Sequence, residues 1–413
     1  MKNTTKLSQH QASQASQPSI LKGFLFAVLP AFLLATSVGQ IYAFSNFVSG
    51  FVQATSAPLS HVQLAFSLGI FFLGMGAAFF GKLVEKNVSI SATLGTVLFI
   101  IGFSLSAYSV SHNSLPLLLI GYGVILGLGT GIVYLTPVKT MMLWFPKYKA
   151  IAAAAPIIFF GLGSTFSTWL HGLLHTKMPL ALELTTMLDY IYFPMMLLGC
   201  LLLKKPAYAV STQEKSVTYE EVFKDRFFYQ SWFFMFLNIS SGLMIIPLTR
   251  QMLTNSTWLT VSQIGLVMGL AGVFNGVGRF FFAWLSDLFN NRSRVLIVIC
   301  ALSALALLGS IVTSSILAIA VLIINACYGA GFSVIPSIIH DHYGNEGLSM
   351  IHGAVLSAWG VAGLFGNQLS VFLERVGGWN TVLGCAVLFH CINLMNVILL
   401  KRIERSLSQK ENK

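Results

Sequence analysis

GLVMGLAGVFNGVGRFFFAWL, residues 265–285, is long enough to cross a bilayer as a helix and carries a single charge, Arg279, near its middle. About 20 residues at 1.5 Å rise span the hydrocarbon core. A guanidinium near the bilayer centre costs roughly 2.5–3.5 kcal/mol even on a lenient insertion scale, so an anionic partner or substrate is expected there. An arginine paired with a carboxylate of a neighbouring helix is the plainer alternative. The other apolar stretches offer no obvious acidic partner, which favours a substrate.

The rest of the chain fits this setting. Of 413 residues, 55% are hydrophobic and only 9% charged, and the mean hydropathy is +0.78. A water-soluble fold cannot cover that much apolar surface, so the chain reads as an all-α, polytopic membrane protein. Twelve apolar stretches qualify as spans, at 23–48, 61–81, 90–110, 115–138, 150–171, 189–203, 229–249, 261–285, 295–313, 316–339, 350–373 and 379–400. All five cysteines (Cys200, Cys300, Cys327, Cys385, Cys391) fall inside these stretches at spacings that fit no metal site, and they read as helix-packing residues. The sequence holds no Ser/His/Asp constellation, HExxH, CxxC pair or phosphate-binding loop. An enzyme is therefore not expected, and neither is a metal or organic cofactor.

The net charge of +11 raises the question of nucleic acid, but its placement answers otherwise. With the N-terminus inside, about 19 Lys/Arg fall on the inner side and about three outside (Lys177, Arg250, Arg375), the bias expected of cytoplasmic loops. Both termini are expected in the cytoplasm of a cell inner (plasma) membrane. Residues 1–18 are Ser/Gln-rich with no cleavable signal and read as a disordered tail, and 402–413 as a second tail.

The longest inner connection, 204–228, is charged and amphipathic and separates an N-terminal bundle of six helices, 19–203, from a C-terminal six, 229–401. Echoes at half the chain length support two pseudo-repeats. After the second stretch comes Gly81-Lys-Leu-Val-Glu85-Lys86, and after the eighth Ala283-Trp-Leu-Ser-Asp287, the carboxylates 202 residues apart. Alternate glycines precede Pro137 and Pro336, 199 residues apart. Small residues at Gly127/Gly131, Gly265/Gly269 and Gly272/Gly276 are expected to let helices approach closely.

These features resemble the major facilitator superfamily, whose loop motif looks like the carboxylate segments above. Within it the chain is similar to the oxalate/formate antiporter family, with the eukaryotic monocarboxylate transporters as more distant relatives. The resemblance is carried by Gln63-Leu-Ala-Phe-Ser67, Phe72-Leu-Gly74, Tyr134-Leu-Thr-Pro137, Trp144-Phe-Pro146, Asn275-Gly-Val-Gly-Arg279, Leu285-Ser-Asp287 and Leu356-Ser-Ala-Trp-Gly-Val-Ala-Gly363. It implies the major facilitator fold and conformational switching through Gly81, Glu85, Lys86 and Asp287. The motif is eroded: Glu85-Lys86 runs into Asn87-Val88-Ser89 instead of a glycine and two basic residues, and Ala283 stands where glycine is usual.

Arg279 lies eight residues before Asp287, about 12 Å deeper by helical rise, near the midplane where such carriers bind substrate. Its planar fork suits a carboxylate. Asn275 is one turn away on the same face, where its amide can complete the shell around an anion. The resemblance implies that Arg279 is the carboxylate ligand. Oxalate-exchanging relatives place a lysine where this chain has Trp359, so a single cation favours a monocarboxylate. The positions that carry a lysine and an aspartate in the eukaryotic relatives are Asn46 and Asn275 here. Tyr42 and Asn46, one turn apart, either line the cavity or form interhelical hydrogen bonds, and Trp359 either walls the cavity or packs. Lys139 is expected to snorkel to the interface, and His171, His175, His340 and His342 to be interfacial, with no role assigned to His390.

The expected function is alternating-access transport of small organic monocarboxylates, lactate-, pyruvate- or formate-like, by exchange or with protons. Its partners would be the anion, the bilayer and a proton or counter-anion. The competing readings are an exporter of hydrophobic drugs, in keeping with 13% aromatic residues, and a carboxylate-sensing transceptor.

Overall fold

The computed structural model describes residues 20–206, 218–256, 259–289, 292–344 and 347–411. The expected tail at 1–18 lies outside them. Among the described residues every regular element is helical. Six helices make the first half: α1 (Ile20–Thr55), α2 (Leu59–Lys86), α3 (Val88–Ser111), α4 (Leu115–Trp144), α5 (Pro146–Leu174) and α6 (Leu180–Leu202). The second half begins with α7, Arg226–Ile245 followed by Thr249–Asn255 after a 51° bend. Then come α8 (Val261–Leu288), α9 (Ser293–Val312) and α10 (Ser314–Tyr343). The run Leu348–Glu411 breaks at Gly378, whose φ of 70° belongs to the left-handed region that glycine alone enters freely. It divides into α11 (348–377) and α12 (379–411), and α12 carries helix through most of the tail expected at 402–413.

Local chemistry sets the helix starts. The Asn87 side chain caps α3 by accepting from the Ile90 amide at 3.0 Å. Thr260 and Gln263 form a reciprocal capping box at the head of α8. Asp225 caps α7 through the Phe227 amide at 2.9 Å. Between 204 and 228 a short helix, Tyr219–Lys224, is tied to α2 by the Tyr219 hydroxyl, which donates to the Ala78 carbonyl at 3.1 Å.

With lipid as apolar as the side chains, close backbone approach rather than water exclusion holds spans together. A Cβ built on Gly131 would lie 2.0 Å from the Leu73 carbonyl oxygen, so α4 rests directly on α2 as expected. The expectation for the α8 glycines fails. Gly265, Gly269, Gly272 and Gly276 have nothing within 4 Å of a built Cβ. In that part of α8 burial is confined to Ile264, Ala271 and Gly278, a stripe seven residues apart, so the glycine face stands open.

The halves meet mainly through α2 against α11 and α5 against α8. Gly74 faces Gly360 backbone to backbone, and Gly81 faces Ser349 and Met350, with built Cβ atoms 2.6 Å from the nearest atom in each case. On the other pair Ala283 is buried against Ala150 and Ala154. An alanine in place of the usual glycine is therefore accommodated by two other alanines.

Candidate functional site

Arg279 is 5% exposed and lies where α8 faces α5. Its Nε donates to Asn275 Oδ1 at 3.0 Å, one turn back on α8, and its Nη1 donates to the Ile157 carbonyl on α5 at 2.6 Å. Its Cζ lies 5.7 Å from the centre of the Phe332 ring on α10. All these partners are neutral, and among the described residues no carboxylate reaches the guanidinium. Asn275 therefore already spends its amide oxygen on orienting the arginine, and its amino group remains to meet a ligand.

Beside the guanidinium stands an aromatic cluster drawn from five helices. Trp359 on α11 sits 4.6 Å from Phe332, 5.6 Å from Tyr134 on α4, 6.0 Å from Phe160 on α5 and 6.3 Å from Tyr42 on α1, measured between ring centres. Tyr42 and Tyr134 both pack edge-on to Phe160. Among the described residues the Tyr134 hydroxyl is buried with no hydrogen-bond partner, and the Tyr42 hydroxyl and Trp359 Nε1 have the Tyr328 side chain as their polar neighbour. Buried donors without acceptors are costly, and an anion beside Arg279 supplies acceptors of the required sign.

Of the residues singled out in the sequence, Arg279, Asn275, Tyr42 and Trp359 come together here. Asn46 does not join them: its amide donates to Thr168 Oγ1 on α5 at 2.8 Å, an interhelical bond. Tyr134, Phe160 and Phe332 are wall residues that the sequence reading misses. The available signal is Tyr134 within the Tyr-Leu-Thr-Pro segment, three residues ahead of Pro137.

About two helical turns from this cluster the halves are bolted together. Glu85 accepts from the Ser349 amide, 2.8 Å away at the start of α11. Asp287 accepts from the amides of Ala150 and Ile151 at the start of α5, 3.2 and 3.1 Å away. Each carboxylate thus meets the positive end of a helix in the opposite half. Arg292 braces Asp287 at 2.8 Å and Asp341 at 2.6 Å. Burial works against the Arg292 charge, yet the carboxylates of Asp341 and Asp287 outweigh it and hold its proton more tightly than usual. Lys149 of one half meets His340 of the other at 3.1 Å.

Lys139 does not snorkel as expected. It is 4% exposed and ion-paired with Glu85, because α4 aims it at a carboxylate across the bundle rather than at the interface. Lys86 is exposed and makes no ion pair among the described residues. His390 is buried and bonded to Ser241 at 2.8 Å.

The family model described as Major Facilitator Superfamily matches residues 23–366 and, in a second alignment, 232–413. The chain belongs to the major facilitator superfamily. It is thus a multi-pass membrane transporter rather than an enzyme. Among curated superfamily members it is 27% identical over 343 residues to the uncharacterized MFS-type transporter YhjX of Escherichia coli (strain K12), covering 79% of this chain and 83% of the relative. It is 23% identical over 385 residues to the oxalate:formate antiporter of Oxalobacter formigenes, covering 89% of each. Solved superfamily structures share the fold. A bacterial homologue of the iron transporter ferroportin has a TM-score of 0.71 at 13% identity, over 91% of this chain and 98% of that one. The transporter FucP, in an outward conformation, has a TM-score of 0.67 at 17% identity, over 90% and 98%.

Proposed function

We propose that this transporter carries small organic monocarboxylate anions of lactate, pyruvate or formate size by alternating access, as an exchanger or together with a proton. The observation that carries the reading is Arg279: a buried guanidinium between the halves whose bonds, among the described residues, go to an amide oxygen and a backbone carbonyl. A cation so placed is stabilised by an anionic ligand, and a carboxylate matches its fork. Trp359 stands 4.6 Å from Phe332, the ring that faces the guanidinium, and the space beside them is read as the substrate chamber. It narrows the space and adds no second charge, so one carboxylate balances one cation. The name of the Oxalobacter formigenes relative, oxalate:formate antiporter, gives that protein two small carboxylates, of which formate is a monocarboxylate.

The Glu85 and Asp287 end collects the basic loops and is assigned to the cytoplasm, with both termini, in the cell inner (plasma) membrane. The bolted end is then the cytoplasmic gate, closed here, and the open glycine face of α8 belongs to the outward cleft. Gly81, Glu85, Lys86 and Asp287 switch the gate, and Lys139 pairs with Glu85 there. Asn275 and Tyr42 flank the anion, while Asn46 braces α1.

Counterflow of radiolabelled pyruvate, lactate, formate and oxalate in proteoliposomes tests the reading. Saturable monocarboxylate exchange is expected, with oxalate the weaker substrate. Flux of a lipophilic cation in place of carboxylates would transfer the reading to a drug exporter, and binding without flux to a sensor.

A further inference from the structure

His352 lies on α11 seven residues before Trp359, two helical turns or about 10 Å toward the Glu85 end. It is 1% exposed, and its Nε2 has no hydrogen-bond partner. Its ring centre is 6.4 Å from that of Tyr134, whose hydroxyl is equally unpartnered. One residue on, Gly353 presses against the Ala77 carbonyl of α2, with a built Cβ 2.1 Å from it. Ser349, one turn earlier, is the residue whose amide Glu85 caps. The imidazole therefore occupies the layer between the Arg279 chamber and the closed gate.

Among the described residues the surrounding helices supply this layer with no free carboxylate. On α2 the acid is Glu85, engaged by Lys139 and Ser349. On α4 the titratable groups are Tyr122, Tyr134 and Lys139. From Phe227 to Thr249, α7 has no acidic or basic side chain, only Tyr229. On α10, Cys327 and Tyr328 lie at chamber depth, whereas His340, Asp341, His342 and Tyr343 are at its gate end and face Lys149, Arg292 and Asp225. Arg279 on α8 is the nearest fixed charge on the chamber side. A buried, unpaired imidazolium is costly in such a place, and an anion at Arg279 is the one group that offsets it.

We infer that His352 is a proton-binding site coupled to the anion site, which makes the carrier a proton–monocarboxylate symporter. The inference rests on the reading of Arg279 as the carboxylate ligand. A proton passes from water to Nε2 when the chamber opens on one side, stays while the anion is bound, and returns to water on the other side. No bond of the substrate changes, and one proton with one anion makes the step electroneutral. Taking the about 10 Å rise from His352 to Trp359 along α11 as the separation, an anion and the imidazolium at an effective dielectric of about 20 raise each other's affinity roughly tenfold, and the coupling is reciprocal.

The test uses proteoliposomes containing wild-type protein or His352→Gln, which keeps a polar side chain without the titrating imidazole. Counterflow of labelled pyruvate at equal pH on both sides reads the anion site alone. Accumulation driven by an imposed pH gradient, with the membrane potential clamped at zero, reads the coupling. Wild-type protein is expected to do both, and His352→Gln to retain counterflow within about threefold while losing gradient-driven accumulation. Accumulation that persists in His352→Gln overturns the inference, as does wild-type counterflow that no pH gradient can drive. Absence of counterflow in the wild-type protein for every carboxylate instead overturns the reading of Arg279. Should the variant fail to assemble, calorimetry of pyruvate binding to the wild-type protein in buffers of different ionisation enthalpy counts the protons taken up. Uptake reaching about half a proton per anion near the pKa of the group, the most that a tenfold coupling gives, supports the inference, and none overturns it.

Discussion

The Glu85 carboxylate of α2 holds the Ser349 amide of α11 at 2.8 Å, tying the first half of the chain to the second at a helix terminus. Asp287 makes the reciprocal tie to Ala150 and Ile151 on α5. Sequence echoes 202 residues apart are thus the two ends of one quasi-symmetric latch. Its bonds exist only while these helix starts lie against α2 and α8, so the latch stabilises one conformation.

Replacing Glu85 by Gln removes the partner of the buried Lys139 together with the charge at the head of α11. The Lys139 pair lies within the first half, so its loss weighs on every conformation, and only the loss of charge at the Ser349 amide falls on the latched state alone. Ser349→Cys in a background without other cysteines is expected to resist a membrane-impermeant thiol reagent, and to react at least tenfold faster once Glu85→Gln is added.

Gly74→Ala tests the same state by sterics. Its Cβ would lie 2.6 Å from the Gly360 amide nitrogen, across the interface between the halves, and a helix-to-helix backbone contact has little room to yield. The variant is expected to fold, to label at Ser349→Cys as readily as Glu85→Gln does, and to transport several-fold more slowly. Unchanged labelling and transport would show that α2 and α11 do not separate.

Asp225 fixes the start of α7 to the end of α10, accepting from His342 Nε2 at 2.8 Å and the Tyr343 hydroxyl at 2.9 Å. Burial pushes its pKa up, but the hydrogen bonds from His342, Phe227 and Tyr343 prevail and hold the carboxyl below its ordinary value. A carboxyl whose pKa is lowered on folding stabilises above the unfolded value, about 4, and loses that contribution as pH falls through the folded value. Asp225→Asn should therefore lower the Tm at pH 7 by an amount equivalent to about 1 kcal/mol. The gap to wild type should close below about pH 4.

Trp359→Lys places a second cation beside the chamber. Oxalate is expected to gain on formate by at least tenfold in competition for counterflow, as two charges then match two. Unchanged selectivity would mean that this position does not face the substrate.

Arg279 is legible in the sequence because a lone charge in an apolar span must have a reason to be there. The half-chain echoes likewise expose Glu85 and Asp287. The walls of the chamber are not legible in the same way: Tyr134, Phe160 and Phe332 are three among many aromatic residues, and only the crossing of helices brings them to Trp359. Lys139 escapes the sequence for a related reason, since snorkelling is decided along one helix whereas the pairing with Glu85 is made between two. The α8 glycines show the limit of spacing rules. A small-residue face permits close packing, but in this conformation no neighbour comes to use it.

The most direct test of the central claim is pyruvate binding and counterflow with Arg279→Gln beside the wild-type protein, both checked for folding by size-exclusion chromatography. Losing a buried charge-assisted pair of about 2–4 kcal/mol weakens binding at least roughly thirtyfold. The account predicts folded Arg279→Gln protein with saturable pyruvate exchange abolished, and little recovery in Arg279→Lys, which lacks the planar fork. Folded Arg279→Gln protein that binds and exchanges pyruvate as the wild type does would contradict it.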